Sequence, residues 1–247
     1  MTINRSAILL FLAELRRSAR LLLFSLVGLT FALFLTAGWL RPALQRHIGG
    51  ELYFFSVAEP FLAHVKLAFF AALFCLMPLI LGILWRALAA PFGMEARQRR
   101  GFVWATVLLF YAGAVFCWFV TLPFGIRFLL GFGGETLTPT ISVSRFVNFV
   151  SLFVLAFGLI FQLPVFMIFS VKVRLASRAF FERRRRYAVL IIAVLAAVLT
   201  PTPDVVNMGL MGLPLYALYE TGILLIRRFG LEAGAGETGK EPEADGQ

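Results

Sequence analysis

The chain has 247 residues, 60% of them apolar, and a mean hydropathy of +0.89. That is more apolar surface than its polar residues could cover in water, so a soluble domain is excluded and lipid has to supply the missing cover. The net charge of +10 does not point to nucleic acid, because the basic residues are confined to the ends of apolar runs, where topology and anionic headgroups account for them.

Six apolar runs follow one another near 20–40, 67–85, 102–125, 146–171, 187–200 and 205–226. A helix needs roughly 20 apolar residues to cross about 30 Å of hydrocarbon. Ahead of the first run, Ile8, Phe11, Leu12 and Leu15 recur at helical spacing, which reads as an amphipathic interfacial helix. The first run is longer than a signal-peptide core and lacks an A-x-A end, so it is expected to stay in the protein. The gap 41–66, with Pro42, Gly49, Gly50 and Pro60, reads as a compact cap with short helices, and 126–145 is similar, with Gly131, Gly133, Gly134 and Pro139 as breakers. The fifth run, Tyr187 to Thr200, holds fourteen residues and ends at the start of a Thr-Pro-Thr-Pro sequence; it spans only about 21 Å. Asp204, Asn207 and Glu220 shorten the apolar part of the sixth. Such short spans thin the bilayer locally or pack tightly against neighbours. From Phe229 the composition becomes that of a solvated, acidic tail.

Eighteen of the 23 Lys and Arg residues fall at the N-terminus, in 86–100, in 172–186 and at the C-terminus, against five (Arg41, Arg46, Lys66, Arg127, Arg145) in the intervening gaps. Cytoplasmic loops retain basic residues, and only an even number of crossings puts both termini on the basic side. The expectation is an all-α membrane protein with six transmembrane helices, both termini cytoplasmic, and short fifth and sixth spans. Residues 1–228 form the membrane domain and 229–247 a disordered acidic cytoplasmic tail. Cys75 and Cys117 lie inside apolar runs and read as packing residues.

Motifs then accumulate in order. Phe11-Leu12-Ala13-Glu14-Leu15-Arg16-Arg17 opens the chain, followed by Glu59, Lys66, Pro78, Leu84-Trp85 and Ala90-Pro91. Phe110-Tyr111-x-Gly113-x-x-Phe116-x-x-Phe119-x-x-x-Pro123 and Ala156-Phe157-Gly158-x-x-Phe161-Gln162-Leu163-Pro164 come next. Arg186-Tyr187, Thr200-Pro201-Thr202-Pro203-Asp204, Pro214 and Leu218-Tyr219-Glu220 close the series. The ordered set, from about residue 10 to 228, resembles the TatC family, the multi-span receptor subunit of the twin-arginine protein translocase. Phe11 stands where that family has His, and Ser18 where a second spaced Arg is often found. The resemblance implies a concave bundle of six helices in the prokaryotic inner membrane, with no covalent chemistry and no cofactor. It further implies binding of twin-arginine signal peptides on precursor proteins, single-span TatA- and TatB-type partners, self-association in the complex, and drive by the proton-motive force.

Glu14 and Glu95 are the candidate signal-peptide carboxylates, with Arg16 beside the first, because a carboxylate accepts two parallel bonds from a guanidinium. On charge alone the simpler reading of each is an interfacial acid neutralising Arg16 or Arg97. The resemblance favours the binding role, with Glu95-Ala96-Arg97 and Gln98-Arg99-Arg100 as two alignments of the family's loop motif. Gln162 lies mid-span, where an unpaired amide is costly; a bond to a neighbouring helix, or to carbonyls freed by Pro164, is its simplest fate. Glu220 is an ionisable group inside a span that could pair with Arg227. Pro78, Pro123, Pro164 and Pro214 read as kinks, and Pro78, Asp204 and Pro214 as structural or partner-contact positions. A secondary transporter of a small solute and a membrane-embedded enzyme are the alternatives. The enzyme lacks an acid/base or metal constellation, since His47 and His64 lie in the outer cap region and read as surface residues.

Overall fold

The computed structural model describes residues 5–36, 52–53, 55–131, 141–199 and 205–229. The helices are α1 (Arg5–Thr36), α2 (Glu59–Ala89), α3 (Ala96–Phe116), α4 (Leu122–Gly131), α5 (Val143–Ile160), α6 (Leu163–Lys172), α7 (Arg178–Arg183), α8 (Arg185–Leu199) and α9 (Val205–Arg228). The one departure from an all-helical chain among the described residues is a two-residue parallel pair, β1 (Leu52–Tyr53) on β2 (Ile141–Ser142), which ties the gap before α2 to the gap before α5. The expected short helices of the first gap, His47, Asp204 and the tail lie outside the described residues.

Four stretches are long and apolar enough to cross a membrane: Ser18–Thr36, Glu59–Phe92, Ala96–Arg127 and Val143–Lys172. They are the first four expected spans. The amphipathic helix and the first span are one continuous α1. At 15 residues, α8 is about 22 Å long. α9 has 24 residues but carries Asn207, Pro214, Tyr216, Tyr219 and Glu220 along its length. Large apolar side chains cover the exterior, among them Phe24, Phe31, Trp104, Leu108, Phe119 and Leu213, each more than 65% exposed. In water such a surface would be a liability, so these side chains face hydrocarbon.

α1 runs along α2, and α5 packs against both α2 and α3. α9 packs on α6, α7 and α8. The tightest crossing joins α3 and α5. A Cβ on Gly113 would stand 2.7 Å from the Phe161 ring and 2.8 Å from the Phe157 carbonyl oxygen, and a Cβ on Gly158 would stand 2.5 Å from the Phe110 ring. Each helix thus sets a phenylalanine over the other's glycine. Small residues let membrane helices approach this closely, and packing of this kind, rather than water exclusion, holds them together.

The prolines act unequally. Pro78 and Pro214 sit within helices that continue through them, whereas the fourth span breaks between Ile160 and Leu163, just before Pro164. In the third span, a five-residue π-helical turn at Cys117–Thr121 precedes Pro123. The extra residue per turn there absorbs the donor that proline lacks. Cys75 is exposed and Cys117 buried, and both are free thiols.

Candidate functional site

At one end of the molecule, α2 closes through a short 3-10 turn at Ala90–Phe92. Gly93 then takes a left-handed conformation, φ 59°, which costs glycine nothing. This reversal leads into Glu95, extended at φ −61°, ψ 147°, which is the N-cap of α3. Its carbonyl accepts from Arg99 N at 3.0 Å, while its carboxylate makes no capping bond and is exposed. A negative charge suits a helix N-terminus, so Glu95 is held in place by backbone alone and its carboxylate is available.

α1 is antiparallel to α2. At the far end, the Phe34 carbonyl meets His64 Nε2 at 2.8 Å, and the Phe34 ring packs edge-on to Phe61 and His64. Counting back from that contact at 1.5 Å per residue sets residue 8 level with the 90–92 turn, and Glu14 about 9 Å deeper along the axis. α1 does touch that turn. The segments carrying Glu14 and Glu95 therefore occupy the same end of the bundle. The side chain of Glu14 lies outside the described residues; Arg16 is exposed.

Beneath this end, Trp85 is fully buried and stacks on Phe102 at 4.7 Å and edge-on to Phe169 at 5.0 Å. Its indole Nε1 donates to Thr106 Oγ1 at 3.1 Å, and Thr106 donates onward to the Phe102 and Val103 carbonyls. This plug joins α2, α3 and α6.

Gln162 is 2% exposed and stands at the break in the fourth span. Its backbone N–H turns to the Leu159 carbonyl at 3.0 Å, which strands the Gly158 carbonyl. The Gln162 side-chain amide donates to that carbonyl instead, at 2.9 Å. The expected partner on a neighbouring helix is thus replaced by the preceding turn of its own span. Oε1 of the same amide is buried and has no hydrogen-bond partner.

Glu220 does not pair with Arg227. The two are seven residues apart, about 10 Å along the same helix, whereas Arg185 on the adjoining α8 reaches Glu220 Oε2 at 3.1 Å. Tyr216 OH donates to Oε1 at 2.8 Å, and Tyr219 OH donates to the Phe181 carbonyl at 2.8 Å. The Tyr-Glu pair of α9 therefore fastens the 172–186 loop. Pro214 is half-buried on the same helix, and Pro78 is exposed on α2.

At the opposite end of the bundle from Glu95, two sets of contacts escaped the sequence. Glu59 accepts from Ser142 Oγ, from Ser144 N at 3.2 Å and from Phe55 N at 2.7 Å. Lys66 Nζ donates to Ser144 Oγ at 3.0 Å. Glu59 and Lys66 stood among the ordered motif residues, but their partners could not be read along the chain, since Ser142 is 83 residues from Glu59. His64 is not a surface residue: it is half-buried between α1 and α2, and its Nδ1 is buried without a partner. A helix-helix contact made by a residue of the cap region could not be read from composition.

Three comparisons bear on this arrangement. A family model described as TatC, Sec-independent protein translocase protein, matches residues 10–214. The Sec-independent protein translocase protein TatC of Carboxydothermus hydrogenoformans is 36% identical over 180 residues, covering 72% of this chain and 73% of its own. That of Campylobacter jejuni is 35% identical over 189 residues, covering 76% and 75%. A crystal structure described as the twin arginine translocase receptor TatC, in the detergent DDM, superposes with a TM-score of 0.77 at 30% identity, over 87% of this chain and 98% of that one. A second TatC crystal structure gives 0.76 at 29%. A small-solute transporter finds no support in these matches.

Proposed function

Because the chain belongs to the TatC family, a component of the Sec-independent protein translocase in the bacterial inner membrane, we propose that it is the receptor that binds twin-arginine signal peptides. In this reading the protein crosses the membrane six times with both termini in the cytoplasm. The loops 86–101 and 172–186 face the cytoplasm, and residues 229–247 extend from the membrane domain as a cytoplasmic tail. Together with TatA- and TatB-type partners, and as several copies in one complex, it passes folded precursors across the bilayer at the expense of the proton-motive force. Pro78, Asp204 and Pro214 serve helix packing or partner contacts.

The observation that carries the reading is the antiparallel pairing of α1 and α2, set by Phe34 on His64, which brings the segments bearing Glu14 and Glu95 to one end. Two acidic residues at one end of the bundle, in segments that also carry Arg16, Arg97, Arg99 and Arg100, suit a ligand with two adjacent guanidinium groups. Arg offers a planar fork of donors and Lys a single ammonium, so carboxylates distinguish them at equal charge. Arg16, exposed on the same helix two residues on, is the third residue assigned to the signal-peptide site.

Removing one partner of a partly dehydrated charge pair costs about 2–5 kcal/mol, roughly 30-fold to several thousand-fold in affinity. The test is co-purification of the detergent-solubilised protein with a twin-arginine precursor and with its twin-lysine counterpart. The expected outcome is retention of the first only, lost in Glu14→Ala and weakened in Glu95→Ala while both variants insert normally. Equal retention of both precursors, or full binding by both alanine variants, would overturn the assignment.

A further inference from the structure

We infer that the arginine-rich face of the 172–186 loop is a docking surface for the chain's own acidic tail, residues 230–247. The inference stands apart from signal recognition and from the direction in which the protein lies in the membrane, because loop and tail share one end of the molecule whichever side that end faces.

The loop carries seven basic residues and a single acid, Glu182. That acid is already engaged by Arg178 at 2.7 Å, and Arg185 is engaged by Glu220. Arg183, Arg184 and Arg186 are exposed and have no carboxylate partner among the described residues. Arg184 lies over the Phe180 ring at 4.5 Å and Arg186 over the Tyr187 ring at 5.0 Å. A guanidinium on an aromatic face is held by one side of its plane while its edge can still donate; Arg186 spends one such donor on Tyr187 OH at 3.4 Å and keeps the others. These arginines are therefore preset for carboxylates and short of them.

The loop is not free to drift from the tail's root. Tyr219 on the Phe181 carbonyl and Glu220 on Arg185 tie it to α9, and α9 runs on for eight residues to Arg228, about 12 Å. Beyond it, residues 230–247 hold five acids, Glu232, Glu237, Glu241, Glu243 and Asp245, against one base, Lys240. Five of the chain's 13 acidic residues thus lie beyond the helix to which its most basic loop is tied. Eighteen residues of Gly-rich chain have a root-mean-square span of about 24 Å, enough to fold back over the arginines. A tether this short keeps the tail at an effective concentration on the millimolar scale, so pairs that are individually weak suffice together. The contact is electrostatic and fades as the screening length falls.

The test uses the full chain in phosphatidylcholine nanodiscs at low salt, with Cys75→Ala and Cys117→Ala and spin labels at Ala179→Cys and Ala244→Cys. Pulsed dipolar spectroscopy should give a short-distance population. It should be lost when the five acids become Gln or Asn, lost again at 0.5 M salt, and lost in the triple reversal of Arg183, Arg184 and Arg186 to Glu. Changing the five tail acids to Lys on that triple-reversal background should restore it. Neutralising the tail changes no residue of α1–α9, so that arm is not open to a defect in their packing. Identical distances in the parent and the neutralised tail would overturn the proposal. So would a loop shielded only when phosphatidylglycerol is added, whatever the tail's charge, since lipid headgroups would then be the occupant.

Discussion

Gly113 and Gly158 allow a direct measurement of how closely the third and fourth spans approach. A methyl group at Gly158 would stand 2.5, 2.8 and 3.0 Å from three atoms of the Phe110 ring. Phe110 has no exposed surface and is hemmed in by Phe74 at 5.6 Å and Tyr111 at 5.5 Å, so the ring can give way only by displacing its neighbours. Overpacking of this kind costs about 1–3 kcal/mol. At Gly113 the added methyl would also meet the Phe157 carbonyl oxygen at 2.8 Å, and backbone cannot rotate aside, so Gly113→Ala should lie at the upper end of that range. Gly101, also in α3, has no atom within 4 Å of its virtual Cβ, and its alanine variant should be neutral or slightly stabilising through helix propensity. Thermal unfolding in mild detergent, read as loss of the monodisperse peak, should rank the three as Gly101→Ala, Gly158→Ala, Gly113→Ala in order of falling midpoint. Phe110→Leu should recover part of the loss in Gly158→Ala. By contrast, Phe161→Leu should recover little in Gly113→Ala, because the carbonyl stays where it is. If both crossing variants melted with the parent, the close approach of α3 and α5 would be wrong.

Thr106→Val should leave the buried Trp85 N–H without an acceptor at a cost of about 1–3 kcal/mol, visible as a lower melting midpoint with an altered tryptophan emission. Glu59→Gln replaces an acceptor of three bonds by a group that presents N–H toward Ser144 N or Phe55 N; faster amide exchange at 141–145 is expected, and unchanged protection would refute the knot. Tyr219→Phe removes the bond to the Phe181 carbonyl, worth about 0.5–1.5 kcal/mol, and should speed trypsin cleavage within Arg183–Arg186 without altering the melting midpoint of the bundle by more than a few degrees. In spheroplasts, an impermeant thiol reagent should label Gly134→Cys and spare Ala96→Cys, and the reverse pattern would sink the six-span orientation.

Sequence alone determined what each segment is. Lengths of apolar runs and the confinement of arginines to their ends are local properties, and α1, α2, α3 with α4, α5 with α6, α8 and α9 lie where hydropathy put them. The shortness of α8 was visible as thirteen apolar residues, Tyr187 to Leu199, ahead of Thr200-Pro201, because rise per residue is the same in every helix. The ordered motifs were legible too, since family membership is written in residue identity. What tertiary structure decided was who meets whom. Glu220 had several possible cations in the sequence, and only the placement of α8 beside α9 selected Arg185 over Arg227. Gly113 and Gly158 were motif letters until the crossing of α3 and α5 put a phenylalanine over each. Which of four prolines breaks its helix depended on whether neighbours could absorb the lost donor: Pro78 is accommodated, and Pro164 stands just past a break whose stranded carbonyl Gln162 covers. Hydrophobic pattern acts along the chain and is readable there, whereas a hydrogen bond or a close packing contact joins residues up to 83 positions apart and exists only once the helices have been brought together.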